Sequence, residues 1–403
     1  MAAITNNIES RDADGFETSD IVVDSGPLGG FGGPAATTTS IAQSHTQLSK
    51  AQWFRAVLER ELTSRKFELR KVKRGYAFIV DPPFDKKTLP FSPFAVDDYC
   101  AFWLWNEDNS KMTCPSFSLP AGGLAVGGSC PGADAGQTNV PVERRQALLM
   151  QKPEGNYLRN PAPGSNEPVF VAEGLTICGS CYAAGISSFT YANNLVKDTI
   201  RYFWLRQRLE EGKHDFLLHI FLDSIKTTLK FPADRHGIKP IRLHDSGDFF
   251  SYRYAELWIA IADDLADEMP DVIIWAPTRT WAQGRWQSFW AERLPRLHSL
   301  RRLGKPNLVV RPSGYNFGDA APGSLHPSNA KGSTSLFAEQ AVKVPEWLRR
   351  QPGVDPRVDY DCQVYHHDAT KETACVNAPA PDGRTGCRAC WVHPELSINY
   401  TAH

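Results

Sequence analysis

Two carboxylates and an imidazole lie within five residues of one another, at His244, Asp245 and Asp248. An apolar segment beginning at Ile241 precedes them, and apolar residues at helical spacing follow. This pattern places them at the carboxyl end of a strand, where α/β folds bind ligands. Such crowded charges are costly unless they are solvated, paired or functional. We therefore predict a catalytic site with Asp248 as the favoured pocket residue and Asp245 as its partner, in which either the second carboxylate or His244 would shuttle the proton.

A structural role would explain part of this cluster. Asp248 or Ser251 could cap the following helix through a side-chain oxygen, and Asp245 could bind the backbone of the turn. Capping accounts for only one of the three ionisable residues, so a functional site remains the favoured interpretation.

Polar side chains also end two later strand-like segments. The predicted strands are residues 168–172, the segment from Ile241, residues 272–276 and residues 307–310, and helical patterns separate the last three. The residues predicted to bind substrate at these ends are Tyr182, Arg242, Ser246, Thr278, Arg279, Arg311, Ser313 and Tyr315. Either Arg279 or Arg311 would hold a phosphate.

The alternation of strands and helices predicts parallel pairing with right-handed crossovers. Polar groups at successive strand ends would line one pocket, which favours a parallel (β/α) barrel, or a partial barrel of the triosephosphate isomerase type, over an open sheet. The sequence contains neither a glycine-rich dinucleotide fingerprint nor a phosphate-binding loop in a strand-to-helix context.

The cysteines indicate metal binding. Eight of the nine fall into two groups along the sequence, Cys114, Cys130, Cys178 and Cys181, then Cys362, Cys375, Cys387 and Cys390. Each group contains one C-x-x-C pair, whose two thiolates can bind one ion. Zinc and an iron–sulfur cluster both fit four cysteines, and the two pairs could also share one site. The spacing C-x-x-x-C-x-x-C, which is typical of clusters that cleave adenosylmethionine, is absent.

Composition limits the class of protein. The net charge is −1 and 42% of residues are hydrophobic, so nothing global indicates a polyanion partner. No apolar run is long enough to span a bilayer, and the N-terminus lacks the pattern of a signal peptide. We expect a protein of the cytoplasm with reduced cysteines.

The chain is expected to divide into three parts. Residues 1–46 are rich in Gly, Ser and Thr and predict a disordered tail. Residues 47–110 predict an N-terminal α/β extension that carries a basic run from Arg65 to Arg74. Residues 111–403 predict a barrel-like catalytic domain with a cysteine-rich loop (111–181) and a cysteine-rich C-terminal tail (360–403), both held by metal. A second basic stretch over residues 284–305 includes interleaved tryptophans, so both basic segments are candidate nucleic-acid contacts or solvated faces.

Several of these motifs together resemble a phage family named after a mycobacteriophage gene product numbered eighty-eight. They are Cys130-Pro-Gly-Ala, Cys181-Tyr-Ala, the segment from Ile241 to Ser251, and Cys387-x-x-Cys390-Trp391. The resemblance spans roughly residues 111–403 and implies a phage or prophage context, hence the cytoplasm of a host cell, more than a reaction.

A fainter similarity is to tRNA-guanine transglycosylases and their relatives that act on DNA with 7-deazaguanine. It rests on Asp245-Ser246-Gly247 and Pro277-Thr278-Arg279, although the C-x-C-x-x-C zinc spacing of those enzymes is missing. It implies a nucleobase exchange through an aspartate nucleophile on a flipped nucleotide. The alternatives are an iron–sulfur redox or radical-type enzyme and a non-catalytic nucleic-acid-binding protein stabilised by zinc.

Overall fold

The computed structural model describes residues 50–73, 75–84, 99–106, 114–124, 127–131, 133, 176–178, 181, 192–231, 237–282, 284–294, 306–342, 344–362, 381 and 387–401. The predicted tail, the predicted strand over residues 168–172, Tyr182 and Cys375 lie outside these ranges.

The N-terminal part is a helix followed by an antiparallel sheet. Helix α1 spans Lys50–Thr63, and strands β1 (Lys66–Val72), β2 (Gly75–Phe84) and β3 (Tyr99–Trp103) pair in that order. Leu58 and Leu62 are buried on α1, at the spacing of one helix face. In the basic run, Arg65 pairs with Glu61 at 3.2 Å and Lys71 with Asp223 at 2.6 Å.

The centre is a four-stranded parallel sheet in the order β4-β5-β6-β7. Its strands are β4 (Ser116–Phe117), β5 (Lys239–Leu243), β6 (Val272–Thr278) and β7 (Leu308–Pro312). Ile241 lies opposite Ile274, which in turn lies opposite Leu308. All strands run in the same direction, so their carboxyl ends form one edge. We call the residues that follow β5, β6 and β7 on this edge (244–249, 279–281 and 313–316) the rim.

The helices of the central part are α2 (Ala192–Glu210), α3 (His214–Thr227), α4 (Tyr252–Glu268) and α5 (Gly284–Arg293). Residues 211–213 separate α2 from α3. Gly212 adopts a φ of +68° immediately after α2, a left-handed conformation that interrupts a helix and that glycine tolerates best.

The two faces of the parallel sheet bury different parts of the chain. Ile274, Leu308 and their alternate neighbours pack into the large core with α2, α3 and α4. The intervening side chains, Ile273, Trp275 and Val309, pack into a second core with the C-terminal segment. Alternation along each strand produces this division, because successive side chains point to opposite faces.

The C-terminal segment covers that second face. Strands β8 (Ser333–Thr334), β9 (Tyr360–Asp361) and β10 (Ile398–Asn399) form a small parallel sheet in the order β8-β10-β9. The short helix α6 (Ala389–Val392) precedes β10, and the Trp391 ring lies 6.3 Å from that of Trp275 on β6.

The predicted mixed α/β class with a parallel sheet is confirmed. Closure of the sheet into a barrel stays a prediction, as do the domain boundaries. No helix in the described ranges combines the length and apolar character needed to cross a bilayer.

Candidate functional site

The turn after β5 presents the predicted catalytic cluster. The backbone becomes left-handed at His244 (φ 61°) and again at Gly247 (φ 84°), which ends the strand abruptly. Phe249 and Phe250 are 0% and 5% exposed, so their burial anchors the far side of the turn. Helix α4 then begins with Ser251 as its N-cap, because the Ser251 hydroxyl accepts the Tyr254 N–H at 3.2 Å.

The carboxylate of Asp248 joins the ends of β5 and β6. Its Oδ1 accepts hydrogen bonds from the Thr278 hydroxyl (2.7 Å) and the Phe249 N–H (2.8 Å), and its Oδ2 accepts one from the Arg279 N–H (2.8 Å). Burial raises the pKa of Asp248 to about 6, although these donors act in the opposite direction. The carboxylate is therefore held in place at the rim and does not cap α4.

Asp245 connects β5 to β4 instead. The Ser116 hydroxyl donates to Asp245 Oδ2, and Arg242 Nε lies 2.9 Å from Asp245 Oδ1. The Arg242 guanidinium also stacks over the Trp275 ring at 4.9 Å. Asp245 thus pairs with Arg242, a predicted substrate ligand, and its role as the catalytic partner of Asp248 stays a prediction.

His244 packs into the core. Its ring lies 4.6 Å from that of Phe249, and its Nε2 lies 3.3 Å from the Tyr254 hydroxyl. The residue is 3% exposed, and burial lowers its pKa to about 3. The imidazole is therefore neutral at ordinary pH, a state poorly suited to the predicted proton shuttle.

The ends of β6 and β7 contribute a second set of contacts. Arg279 Nε donates to the Gly314 carbonyl at 3.0 Å, and the Tyr315 hydroxyl donates to the Arg279 carbonyl at 2.9 Å. The Ser313 hydroxyl lies 3.2 Å from that of Ser333. Thr278, Arg279, Ser313 and Tyr315, four of the predicted substrate-binding residues, are therefore close together, as expected from neighbouring parallel strands.

A loop that carries Cys130 docks onto the turn after β5. The Ser129 hydroxyl donates to the Pro120 carbonyl at 2.9 Å and accepts the Asp248 N–H at 3.4 Å. The Ser246 hydroxyl lies 2.8 Å from the Leu119 carbonyl. The Cys130 N–H donates to the Gly122 carbonyl at 2.9 Å, which holds the thiol beside Asp248.

A second loop brings Cys178 and Cys181 to the same place. Thr176 pairs with Asn316 in an isolated bridge, and the Ile177 N–H donates to the Tyr315 carbonyl at 2.7 Å. The Cys181 N–H donates to the Cys178 carbonyl at 3.1 Å, which closes a tight turn. Both thiols interact electrostatically with Cys130 and with Arg279. We call Cys130, Cys178 and Cys181 the rim thiols.

The chain has been compared with known proteins. The family model described as gene product 88 matches residues 99–393, which include every rim residue. The chain belongs to the phage gene product 88 family. Neither a curated protein nor a solved structure matches it. The fainter similarity to transglycosylases therefore gains no support from relatives.

In the structure of this protein, the cysteines form spatial groups that differ from their two groups along the sequence. Cys114 precedes β4 and packs in the second core with Cys362, Cys387 and Cys390, away from the rim thiols. We call these four the sheet-face thiols. Cys375 was predicted to complete the C-terminal group and lies outside the described residues. Cys114 stands in the first group along the sequence but lies with the C-terminal cysteines in the structure, because the residues before β4 reach the face of the sheet that the C-terminal segment covers.

Arg311 also differs from its predicted position among the substrate ligands. It is fully buried beneath the C-terminal segment, where its guanidinium donates to the carbonyls of Lys331 (2.7 Å) and Leu396 (2.6 Å). It lies on the face of β7 opposite the large core, as alternation requires.

Sequence reasoning missed Arg55. This residue of α1 is 1% exposed and donates to the Ala121 carbonyl in the loop before Cys130. Burial lowers its pKa to about 10, and electrostatic interaction with Cys130 and Cys181 acts in the opposite direction. The available signal was its position three and seven residues before Leu58 and Leu62, on the buried face of α1.

Within the described ranges, no three His, Cys, Asp or Glu side chains stand in the arrangement that a single metal ion requires. The rim thiols are neighbours without meeting at one point. A single zinc ion would draw each sulfur to about 2.3 Å from itself, whereas a cluster binds each thiolate to a different iron and accepts a wider spread.

Proposed function

We propose that this phage protein is an iron–sulfur enzyme of the redox or radical type, built on a partial parallel barrel. The observation that carries the proposal is that two loops bring Cys130, Cys178 and Cys181 to the rim as neighbours, with Cys130 beside the Asp248 carboxylate. Two separate loops deliver them, which is why the sequence lacks a compact three-cysteine motif.

Three thiolates suit a cluster that takes part in chemistry. A cubane cluster has four irons, so three protein thiolates leave one iron open to an outside ligand, as catalytic metal sites do. Three thiolates and an oxidised cluster together carry a net negative charge, which is costly to bury. Arg55 and Arg279 supply positive charge on two sides of the rim thiols.

The rim residues would orient the ligand of the open iron. Asp248 is fixed by three donors, and its carboxylate can attract an ammonium group. S-Adenosylmethionine has amino and carboxylate groups that can chelate an iron, and it supports radical chemistry with such clusters. A cluster held there would supply the electron for reductive cleavage of S-adenosylmethionine to methionine and 5′-deoxyadenosine, with the hydrogen atom taken from a substrate and the electron returned by an external low-potential donor.

The test is an anaerobic purification with reconstitution by ferrous iron and sulfide. Cys130→Ala, Cys178→Ala and Cys181→Ala should each lose about four irons and four sulfides per chain. Each should also lose the electron paramagnetic resonance signal of the reduced wild-type cluster, whereas Cys100→Ala on β3 should keep both. Wild-type iron content and signal in Cys130→Ala would refute the proposal.

A second measurement addresses the radical chemistry itself. S-Adenosylmethionine added to the reduced protein should change the resonance signal and yield 5′-deoxyadenosine, detected by mass spectrometry. A cluster with an unchanged signal and no such product would restrict the function to redox chemistry on another ligand.

Nucleobase exchange through an aspartate nucleophile, as in a transglycosylase, stays a prediction. It is less well supported because both oxygens of Asp248 already accept hydrogen bonds, which lowers their nucleophilicity. Nucleic-acid binding without catalysis also stays a prediction. On α5 the Arg293 side chain is buried and pairs with Glu256, while Arg285 is exposed. Affinity for DNA or RNA that falls as salt rises would support binding.

A further inference from the structure

The sheet-face thiols form a second cysteine cluster that the rim chemistry does not use. Cys114, Cys362, Cys387 and Cys390 are 1%, 4%, 4% and 6% exposed, and all belong to the core between the parallel sheet and the C-terminal segment. They come from the residues before β4, the end of β9 and the start of α6. No described cysteine forms a disulfide.

Two tyrosine hydroxyl groups lie next to two of these thiols, where they could donate hydrogen bonds to thiolate ligands. The Tyr360 hydroxyl lies 3.4 Å from Cys387 Sγ, and the Tyr400 hydroxyl lies 3.2 Å from Cys390 Sγ. A tyrosine hydroxyl is the stronger donor of each pair, so it can donate to a thiolate sulfur. Hydrogen bonds to cluster or zinc thiolates orient the ligand and adjust its electronic properties.

The buried Arg311 provides a charge argument. The hydrogen bonds that the described chain shows for Arg311 all end on neutral carbonyl oxygens, among them that of Cys390 at 3.2 Å. Among the described residues, its buried Nε has no hydrogen-bond partner. A fully buried guanidinium stays charged and is costly without an anion nearby. A negatively charged centre at the neighbouring thiols would supply an anion for Arg311, whereas Arg242, which approaches the same cluster from β5, already pairs with Asp245.

We propose that Cys114, Cys362, Cys387 and Cys390 bind one closed four-thiolate metal centre, which fixes the C-terminal segment to the face of the parallel sheet. Four thiolates around zinc, or around a cubane cluster, give a net charge of about −2. The Arg311 guanidinium would offset part of that charge. All four ligand positions are filled by protein, so this centre has no place for substrate and differs in kind from the one at the rim.

The two metals are not separated by the geometry. Among the described residues, the sheet-face thiols do not stand in the arrangement that one metal ion requires, so binding of either metal would move their side chains. Zinc and an iron–sulfur cluster would satisfy the same ligands and charges, so elemental analysis separates the two.

The experiment compares Cys114→Ala with Cys375→Ala in the full-length chain, by zinc, iron and sulfide analysis after anaerobic purification. Cys114→Ala should lose about four irons and four sulfides per chain, or one zinc, relative to wild type. Cys375→Ala should retain the full content. Equal metal content in wild type and Cys114→Ala, or an equal loss in Cys375→Ala, overturns this ligand set.

A second variant keeps the test decisive if Cys114→Ala does not fold. The double variant Cys130→Ala/Cys178→Ala removes the rim thiols only and should still carry about four irons, or one zinc, in native mass spectrometry. A folded double variant without metal would show that the sheet-face thiols are plain buried thiols. This outcome is separate from failure at the rim, which would appear as unchanged iron on loss of Cys130.

Discussion

Gly247 lies directly against Ser129, so closely that a Cβ atom on Gly247 would stand 2.5 Å from the Ser129 hydroxyl oxygen. The same Cβ would stand 2.7 Å from the Leu119 Cβ. Gly247 belongs to the turn after β5, whereas Ser129 precedes the Cys130 thiol. The absence of a side chain at residue 247 therefore lets the loop that carries Cys130 dock on the turn after β5.

We expect Gly247→Ala to displace the loop that carries Cys130 and to lower iron content several-fold. The added methyl group meets Ser129 and Leu119, and alanine also resists the φ of +84° at this residue. The measurement is iron and sulfide per chain, together with the melting temperature.

Gly237→Ala is the matched control. Gly237 also has a positive φ, +67°, but no atom lies within 4 Å of a Cβ built there. Both variants bear a backbone cost of about 1–2 kcal/mol, so the control should lose stability while it keeps its iron. Equal iron loss in the two variants would mean that backbone strain, and not loop docking, controls the site.

Replacement of Arg55 tests the charge balance at the rim. Arg55→Met should lower the reduction potential of the rim cluster by on the order of tens of millivolts, because removal of a nearby cation disfavours the more negative reduced state. Arg55→Lys should restore most of the potential. Arg206→Met is the control, since Arg206 is partly exposed and pairs with Glu59 at 2.6 Å. A potential that follows the melting temperature across all three variants would argue for a structural role.

The parallel sheet was predictable because its signal is local. The apolar runs of β5, β6 and β7 and the helical spacing of α4 and α5 each occupy one short stretch of sequence. The polar residues after β6 and β7 then had to meet at one edge, and Thr278, Arg279 and Tyr315 do so. Arg311 is different, because side chains alternate along β7. Its neighbour Val310 lies in the large core, so Arg311 points to the opposite face and away from the rim.

The grouping of the cysteines could not be predicted from their spacing. Cys114 and Cys130 are close in sequence, yet β4 and the loop after it separate them onto different parts of the sheet. Cys114 instead packs with cysteines about 250 to 280 positions later in the sequence. Contacts of that range depend on how the loops pack, and a single sequence carries no local pattern for them. Arg55 differs, because its helical spacing to Leu58 and Leu62 indicates that it is buried but not which loop it contacts.

Substitution of the two aspartates separates their roles. Asp248→Asn should lower both activity and stability, because one carboxylate oxygen becomes an NH₂ group that faces the donors Thr278 and Arg279. Loss of a hydrogen bond to a charged group costs about 1.5–3 kcal/mol. Asp245→Asn should leave the iron signal and its response to S-adenosylmethionine intact, since Asp245 contacts Arg242 and Ser116. Melting temperature and product formation are measured for both. Full activity in Asp248→Asn would place the site elsewhere.

Asp319 makes the stability of the chain depend on pH. Its carboxyl group is 2% exposed, and its Oδ2 accepts from Asn316 Nδ2 at 3.2 Å, while its Oδ1 is buried without a hydrogen-bond partner. Burial raises its pKa to about 7, well above the value of about 3.9 in an unfolded chain. The folded state therefore binds the proton more tightly than the unfolded state.

The free energy of unfolding should consequently fall as pH rises from about 4 to about 7, and this group should contribute no further change above that range. A difference of roughly three pKa units corresponds to at most about 4 kcal/mol. Asp319→Asn should remove this dependence and raise stability at pH 8 relative to wild type.

Asp355→Asn provides a control of opposite sign. Hydrogen bonds from Arg357 and Gln351 outweigh burial there and lower the pKa of Asp355, so its stabilising contribution is lost as pH falls. Denaturant unfolding between pH 4 and pH 8 measures the free energy of unfolding of the wild type, Asp319→Asn and Asp355→Asn. An Asp319→Asn curve parallel to that of wild type would show that the Asp319 carboxyl group ionises without cost in the folded protein.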